Sequence, residues 1–297
     1  MDHVRAGTGG DELEGSPGEA PDAVELAWLA RILGALRDWR GVDFGGYRTS
    51  TVLRRVRNRM ISARARSMPE YLDRLVRDPC EADALLERLT IKVSRFFRDP
   101  ATFDALRAAL PALRAGREGA LRIWSAGCGQ GEEAYSLAML LAPEQPHGAR
   151  DVVATDIDPA ALAAAARGSY ALAALADVPA PLRARWFVVD SAAGTCRVAP
   201  GLRARVEFRA HDLAGSTVAP DGRRFDLVCC RNVLIYLGPR LQLQVERLLV
   251  ESLAPGGLLC LGEAEWPLPE IVARLEIVDR RARLFRARAA GERGAHA

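Results

Sequence analysis

The chain has 297 residues, enough for one full α/β domain and a smaller companion with a core of its own. Apolar residues make up 49% and charged ones 27%, the balance of a globular protein, and a net charge of +3 excludes binding nucleic acid through overall charge alone. No apolar run approaches the ~20 residues of a membrane span, the N-terminus lacks the layout of a signal peptide, and six cysteines without CxxC spacing give no reason for zinc or disulfides, so a cytoplasmic address, no metal and no membrane insertion are expected.

Residues 1–22 are rich in Gly, Glu and Asp and are expected to form a tail too polar to fold alone. Apolar residues at three- and four-residue spacings then predict helices over 23–39, 49–65, 69–77 and 81–93, the first two separated by Asp43-Phe-Gly-Gly-Tyr47. Past residue 100, strands over 121–125, 151–155, 225–230 and 258–261 alternate with helices over 132–141, 159–166 and 239–252. Such alternation implies a doubly wound parallel sheet with helices on both faces. Arg185–Val189 and Cys196–Val198 flank a short Gly-containing turn and predict a small antiparallel β insert at about 181–208. The resulting division is a helical domain over 23–89, an α/β domain over 90–288 and a tail over 289–297.

The first strand runs into Ser125-Ala-Gly-Cys-Gly-Gln-Gly-Glu-Glu133, whose Gly127, Gly129 and Gly131 let the backbone turn sharply and approach a ligand. A dinucleotide loop needs a third glycine at position 132, where Glu132 stands. A pyrophosphate seeks the bare positive end of a helix, and the Glu132 and Glu133 carboxylates would repel it. They suit a cation such as S-adenosylmethionine, which carries a sulfonium and an ammonium and no phosphate. The same pair also favours the helix dipole, whatever binds nearby. The second strand ends in Asp156, placed to accept both hydrogens of a ribose diol. Asp158-Pro159 reads as a helix N-cap. Phe225–Tyr236 is an apolar strand ending in Arg231-Asn232, so Asn232 faces the same crevice as Gly129 and Asp156.

Over about residues 24–288 the chain resembles the CheR-type chemotaxis receptor methyltransferases. The resemblance rests on Gly41–Tyr47, Ser94-Arg-Phe-Phe-Arg98, Trp124–Cys128, Gly131-Glu-Glu133 with Tyr135-Ser136, and Cys230-Arg-Asn-Val-Leu-Ile-Tyr236. It implies a class I methyltransferase fold with a β insert behind an all-helical domain, S-adenosyl-L-methionine as cofactor and S-adenosyl-L-homocysteine as product. It also implies that Ser94, Arg98 and Glu133 hold the methionine end, with Gly127 and Gly129 in the loop beneath. Asp156 is then the ribose acid, Asp212-Leu213 and Asn232-Val233 line the adenosine and methionine pockets, and Arg98 with Tyr236 stands beside the reacting methyl. Three positions depart from the family pattern. Lys92 occupies a cofactor-contact position where asparagine is usual, although an ammonium accepts no hydrogen bond. Asp212 replaces another asparagine, and Glu263 stands where histidine is frequent.

The implied acceptor is a glutamate on the cytoplasmic helices of methyl-accepting chemoreceptors. A glutamate of pKa about 4.3 is ionised at neutral pH, so the reaction needs no general base. Within 49–66, Arg55, Arg59 and Arg66 fall within about 40° of one another at 100° per residue and are candidates for docking that acidic partner. The same arginines also fit a solvated helix face, and a basic helix can bind RNA, although no RNA-binding motif accompanies it. A monomer working without nucleic acid is expected. Two other functions fit the residues: methylation of RNA or a small molecule, and a non-catalytic module that binds S-adenosylhomocysteine.

Overall fold

The computed structural model describes residues 21–90, 94–115, 117, 119–143 and 151–288. The expected tails at 1–22 and 289–297 lie outside the described residues except for Pro21 and Asp22. Helices α1 (Ala23–Arg40), α2 (Thr49–Ser62), α3 (Met68–Arg77) and α4 (Pro79–Leu89) come first. Their ends follow local chemistry. Asp22 caps α1 by accepting from the Glu25 backbone N–H, and Gly41 closes it at φ 71°. Asp78 caps α4, with Pro79 at its first turn. Ile32, Leu36, Val56, Tyr71, Leu75 and Leu85 pack between the four helices. Beside them lies one buried charge: Glu81 accepts from Arg59 Nε and Nη2, both at 2.7 Å, and from the Tyr71 hydroxyl at 2.8 Å.

The α/β part comprises, in chain order, α5 (Pro100–Arg114), β1 (Ile123–Ala126), α6 (Glu132–Leu141), β2 (Val152–Asp156), α7 (Pro159–Arg167), β3 (Ser169–Ala171), α8 (Ala180–Trp186), β4 (Phe187–Asp190), β5 (Thr195–Val198), α9 (Pro200–Arg203), β6 (Val206–Ala210), β7 (Phe225–Cys230), α10 (Pro239–Glu251), β8 (Leu253–Leu261), α11 (Pro269–Val272), β9 (Leu275–Asp279) and β10 (Leu284–Ala287). Seven strands form one sheet in the order β6-β2-β1-β7-β8-β10-β9. The first five pair in parallel, and β10 is antiparallel to both of its neighbours, so the sheet is mixed. Side chains alternate between its faces. Ile123 joins the core under α5 and α6, while Trp124 joins the core under α10. The same alternation sends the adjacent thiols of Cys229 and Cys230 to opposite faces, both buried and unbridged.

The structure shifts several expected boundaries. The three-stranded sheet, in the order β3-β5-β4, begins at Ser169 and ends at Val198, earlier than the expected 181–208. Residues 206–208 belong instead to the main sheet, because Val206–Ala210 pairs in full parallel register with β2. Helix α5 and strands β9 and β10 were not anticipated. Strand β8 starts at Leu253, ahead of the Pro255-Gly256-Gly257 stretch, and its pairing with β7 shifts register there.

The helical domain is fastened to the α/β domain by backbone. Arg48 N donates to Tyr236 O at 2.8 Å, Gly238 N donates to Gly46 O at 2.9 Å, and Tyr47 bridges Leu237. The fit is tight: a Cβ on Gly46 would lie 2.8 Å from Leu241 Cδ2, and one on Gly238 would lie 2.9 Å from Gly46 O.

Candidate active site

Strand order reverses between β1 and β7, the place where open α/β sheets bind ligands. A cavity of ≈ 370 Å³ opens there, within the usual range of small-molecule sites. Its floor is the loop from β1 to α6. Gly127, at φ 75°, donates to Thr155 O at 2.8 Å, and a Cβ on it would sit 2.5 Å from Val233 Cγ2. Gly129 faces open space, with Ser94 Cβ the nearest atom to an added Cβ, at 4.0 Å. Gly129 N donates to Asp156 Oδ2 at 2.8 Å, and Asp158 N donates to Asp156 Oδ1 at 3.0 Å, so β2 delivers its terminal carboxylate to the cavity in one fixed pose. Burial pushes the Asp156 carboxyl above the ordinary carboxylate range, and the backbone donors oppose that rise. Asp158 caps α7 as its sequence context predicts.

Charged neighbours hold Glu133 and the segment at residues 97–99. Glu133 accepts from the Ser125 hydroxyl at 2.7 Å and from Arg231 Nη1 at 3.3 Å. Burial raises the adjacent Glu132 carboxyl above its ordinary range. The Arg231 side chain is only 3% exposed, and its Nη2 donates to Arg98 O at 2.8 Å and Asp99 Oδ2 at 2.7 Å. It therefore ties the 98–99 segment to Glu133. Phe97, Asp99 and Asn232 have positive φ angles of 50°, 59° and 61°, a conformation that costs about 1–3 kcal/mol for each non-glycine residue. Each is clamped. Phe97 N donates to Ser136 Oγ at 2.9 Å, and Arg231 holds Asp99. Asn232 N donates to Glu265 Oε2 at 2.9 Å, an oxygen that also accepts from Gly262 N at 2.7 Å. Burial raises the Glu265 carboxyl, and these backbone donors lower it.

The helical domain forms the opposite wall, through Phe44, Tyr47, Thr51, Val52 and Arg55. The Arg55 guanidinium lies 5.5 Å from the centre of the Tyr236 ring, and its Nη1 donates to Leu89 O at 2.8 Å, capping the end of α4.

The structure thus brings Arg55, Ser94, Arg98, Gly127, Gly129, Glu133, Asp156, Asp212, Leu213, Asn232, Val233 and Tyr236 around one cavity. Lys92 lies outside the described residues. The docking flank expected of Arg55, Arg59 and Arg66 requires correction. Arg59 turns inward onto the buried Glu81, because that flank packs against α4, and exposed Arg66 does not border the cavity. Glu263 is exposed and does not border it either. Sequence reasoning did not single out Tyr47, His211 or Glu265. Only the first two had a signal, standing in or beside motifs already noted.

A doubly wound sheet with a glycine loop after β1, an acid at the tip of β2 and a cavity lined by Glu133, Asp156 and Asp212 defines a class I methyltransferase that binds S-adenosylmethionine. The donor set fits that ligand: carboxylates accept hydrogen bonds, the ligand offers ribose hydroxyl, adenine amino and ammonium hydrogens, and a Cβ on Gly129 would meet only Ser94 Cβ, at 4.0 Å. The chain belongs to the CheR methyltransferase family: the CheR methyltransferase SAM binding domain matches residues 92–281, and the CheR methyltransferase all-alpha domain matches residues 27–90. It is 35% identical over 228 residues to a chemotaxis protein methyltransferase of Listeria monocytogenes, covering 76% of this chain and 84% of the relative. It is 34% identical over 242 residues to a probable biofilm formation methyltransferase, WspC, of Pseudomonas putida, covering 80% of this chain and 56% of that protein. An uncharacterized 104.1 kDa protein of Rhodobacter capsulatus is 33% identical over 298 residues; these cover 94% of this chain, which spans only 31% of that protein. Among the described residues, no helix is long and apolar enough to cross a membrane.

Proposed function

We propose that the chain forms methyl esters on glutamate side chains of a receptor helix, the cytoplasmic signalling region of a chemoreceptor being the favoured acceptor. The observation that carries this reading is the charge layout of the cavity. Carboxylates of Glu133, Asp156 and Asp212 suit the hydrogen-bond donors and the cationic end of the cofactor, while Arg55, Arg95 and Arg98 line the same cavity and suit an anionic acceptor. When bound, S-adenosylmethionine supplies an electrophilic methyl group on a sulfonium.

The chain's own residues do the rest by placement. Asp156 accepts from the ribose hydroxyls, Asp212 from the adenine amino group, and Glu133 takes the cationic methionine end, with Ser94, Gly127, Gly129, Leu213, Asn232 and Val233 shaping the pocket. Arg98 orients the incoming carboxylate, and Tyr236, stacked on Arg55, borders the reacting position. The acceptor is already an anion, so no side chain has to remove a proton. Alignment of two reactants can contribute on the order of 7–11 kcal/mol, and exclusion of water strengthens it. The relative named a chemotaxis protein methyltransferase supports this acceptor, and the one named a probable biofilm formation methyltransferase favours a second reading, in which the receptor serves an output other than motility. Both readings have the chain act as a monomer in the cytoplasm.

The test is incubation with methyl-labelled S-adenosylmethionine and purified chemoreceptor cytoplasmic fragments, followed by mild base. Release of the label as methanol is expected. Label that survives base, or that enters RNA or a small molecule, would overturn the ester assignment. Tight binding of S-adenosylhomocysteine with no transfer to any receptor fragment would identify a non-catalytic module.

A further inference from the structure

We infer that Tyr47, a residue of the helical domain, is a cofactor-binding residue whose hydroxyl donates to the nucleoside end of S-adenosylmethionine between Asp156 and Asp212. The inference rests on the cofactor site alone and not on the identity of the acceptor.

Tyr47 lines the same cavity as Asp156, Asp212 and His211. The charged groups that act on its phenol most directly are the carboxylates of Asp212 and then Asp156. Burial, reinforced by these two anions, pushes the Tyr47 hydroxyl above its ordinary range, so it stays protonated and remains a donor. The ring is also fixed. It packs on Phe44 with centroids 4.8 Å apart, its backbone N donates to Phe44 O at 3.1 Å, and the residue bridges Leu237. The close contacts at Gly46 and Gly238 leave this turn little freedom to shift.

The Tyr47 side chain borders the cavity, where a bound ligand can replace water at its hydroxyl. No described residue accepts from the Tyr47 hydroxyl. The neighbouring carboxylates define what the partner must be. Carboxylates only accept, so Asp156 and Asp212 take the ribose hydroxyl and adenine amino hydrogens of the nucleoside. The groups left on that ligand are acceptors, namely ribose oxygens and adenine ring nitrogens. A phenol O–H between two carboxylates is the complementary donor. His211 adds a second polar atom here, since its Nε2 is buried without a partner and burial holds the imidazole below its usual value, hence neutral. Because Tyr47 arrives from the helical domain and the two acids from the sheet, the cofactor is clasped by both domains.

The test is titration calorimetry of Tyr47→Phe with two ligands, S-adenosylhomocysteine and 5′-methylthioadenosine, the latter lacking the amino-acid end. Phe keeps the ring packing and the backbone bridge and removes only the hydroxyl. We expect Kd to rise about 3- to 10-fold, the worth of one net hydrogen bond, by the same factor for both ligands, with an unchanged melting temperature. In turnover assays the cofactor KM should rise while kcat at saturation is kept. An unchanged Kd, or weakening confined to S-adenosylhomocysteine, would overturn the assignment. If Tyr47→Phe melts early, binding is compared at a temperature where both proteins are fully folded: weakened binding of both ligands there supports the contact, and full affinity refutes it.

Discussion

Replacement of Gly127 by alanine separates two effects that a glycine loop combines. The residue sits at φ 75°, where an L side chain pays about 1–2 kcal/mol. Its new Cβ would lie 2.5 Å from Val233 Cγ2, closer than Cβ atoms come to their neighbours, so the valine must leave its position. Overlap of this kind costs a further ~1–3 kcal/mol, for a total of about 2–5 kcal/mol. Gly129→Ala is the control. It carries the same backbone cost at φ 54° but meets nothing nearer than 4.0 Å. Removing the obstacle in Gly127→Ala/Val233→Ala should restore the overlap share, so a double-mutant cycle should give a coupling of about 1–3 kcal/mol. The assay is urea unfolding without cofactor, so that binding does not mask stability. Additive single and double variants, or equal losses at positions 127 and 129, would refute the steric argument.

Four further outcomes follow from the geometry of the chain. Arg59→Ala should cost about 3 kcal/mol in urea unfolding, because it strips a buried carboxylate of two hydrogen bonds, and a loss near zero would return Arg59 to the surface. Burial raises the Glu81 pKa, but the bonds from Arg59 and Tyr71 outweigh it and hold it below 4.5; Glu81 therefore contributes stability above that pH and loses it as pH falls through the folded value, so the gap between wild type and Arg59→Ala should shrink on acidification and a constant gap would contradict this. Glu265→Gln should lower stability by about 1–3 kcal/mol and weaken S-adenosylhomocysteine binding in calorimetry, since an amide that keeps its oxygen for Asn232 N and Gly262 N sets an NH2 against the donor Ile235 N; intact binding would mean that Asn232 holds its pose unaided. Arg98→Ala should lower kcat about 100-fold while cofactor affinity stays within a few-fold, and wild-type turnover would place the reacting position elsewhere.

What could be read in advance was local. The glycine loop, Asp156 at a strand tip and Asp158 before Pro159 each advertise themselves within a few residues, because turn, acid and cap chemistry act over that range. The features that hold the site are distant in sequence. Arg231 reaches Glu133 across 98 positions, Glu265 reaches Asn232 across 33, and Tyr47 arrives from another domain. Helical periodicity gave the angle between Arg55 and Arg59 correctly but could not say which flank packs against α4. Helix α5 carries an internal Pro111. The main-sheet strand β6 was absorbed into the expected insert because its short run follows two insert strands with only α9 between.

A sulfonium donor is already activated, so methyl transfer depends largely on alignment of the reactants, and the supports around the cavity bear on that alignment. Of the five non-glycine residues at positive φ among those described, Asn232 lines the cavity and Phe97 and Asp99 flank the cavity residue Arg98, while Arg64 and Arg283 lie elsewhere; the first three are each tied down by a buried or part-buried polar partner. Left free, each would relax toward an ordinary conformation, gaining about 1–3 kcal/mol and moving the atoms it carries. Arg231 and Glu265 prevent this without being required to contact either reactant. Rate enhancement obtained by alignment is lost when supports of this kind yield by about 1 Å. Substitution of the supports should therefore lower kcat as well as stability.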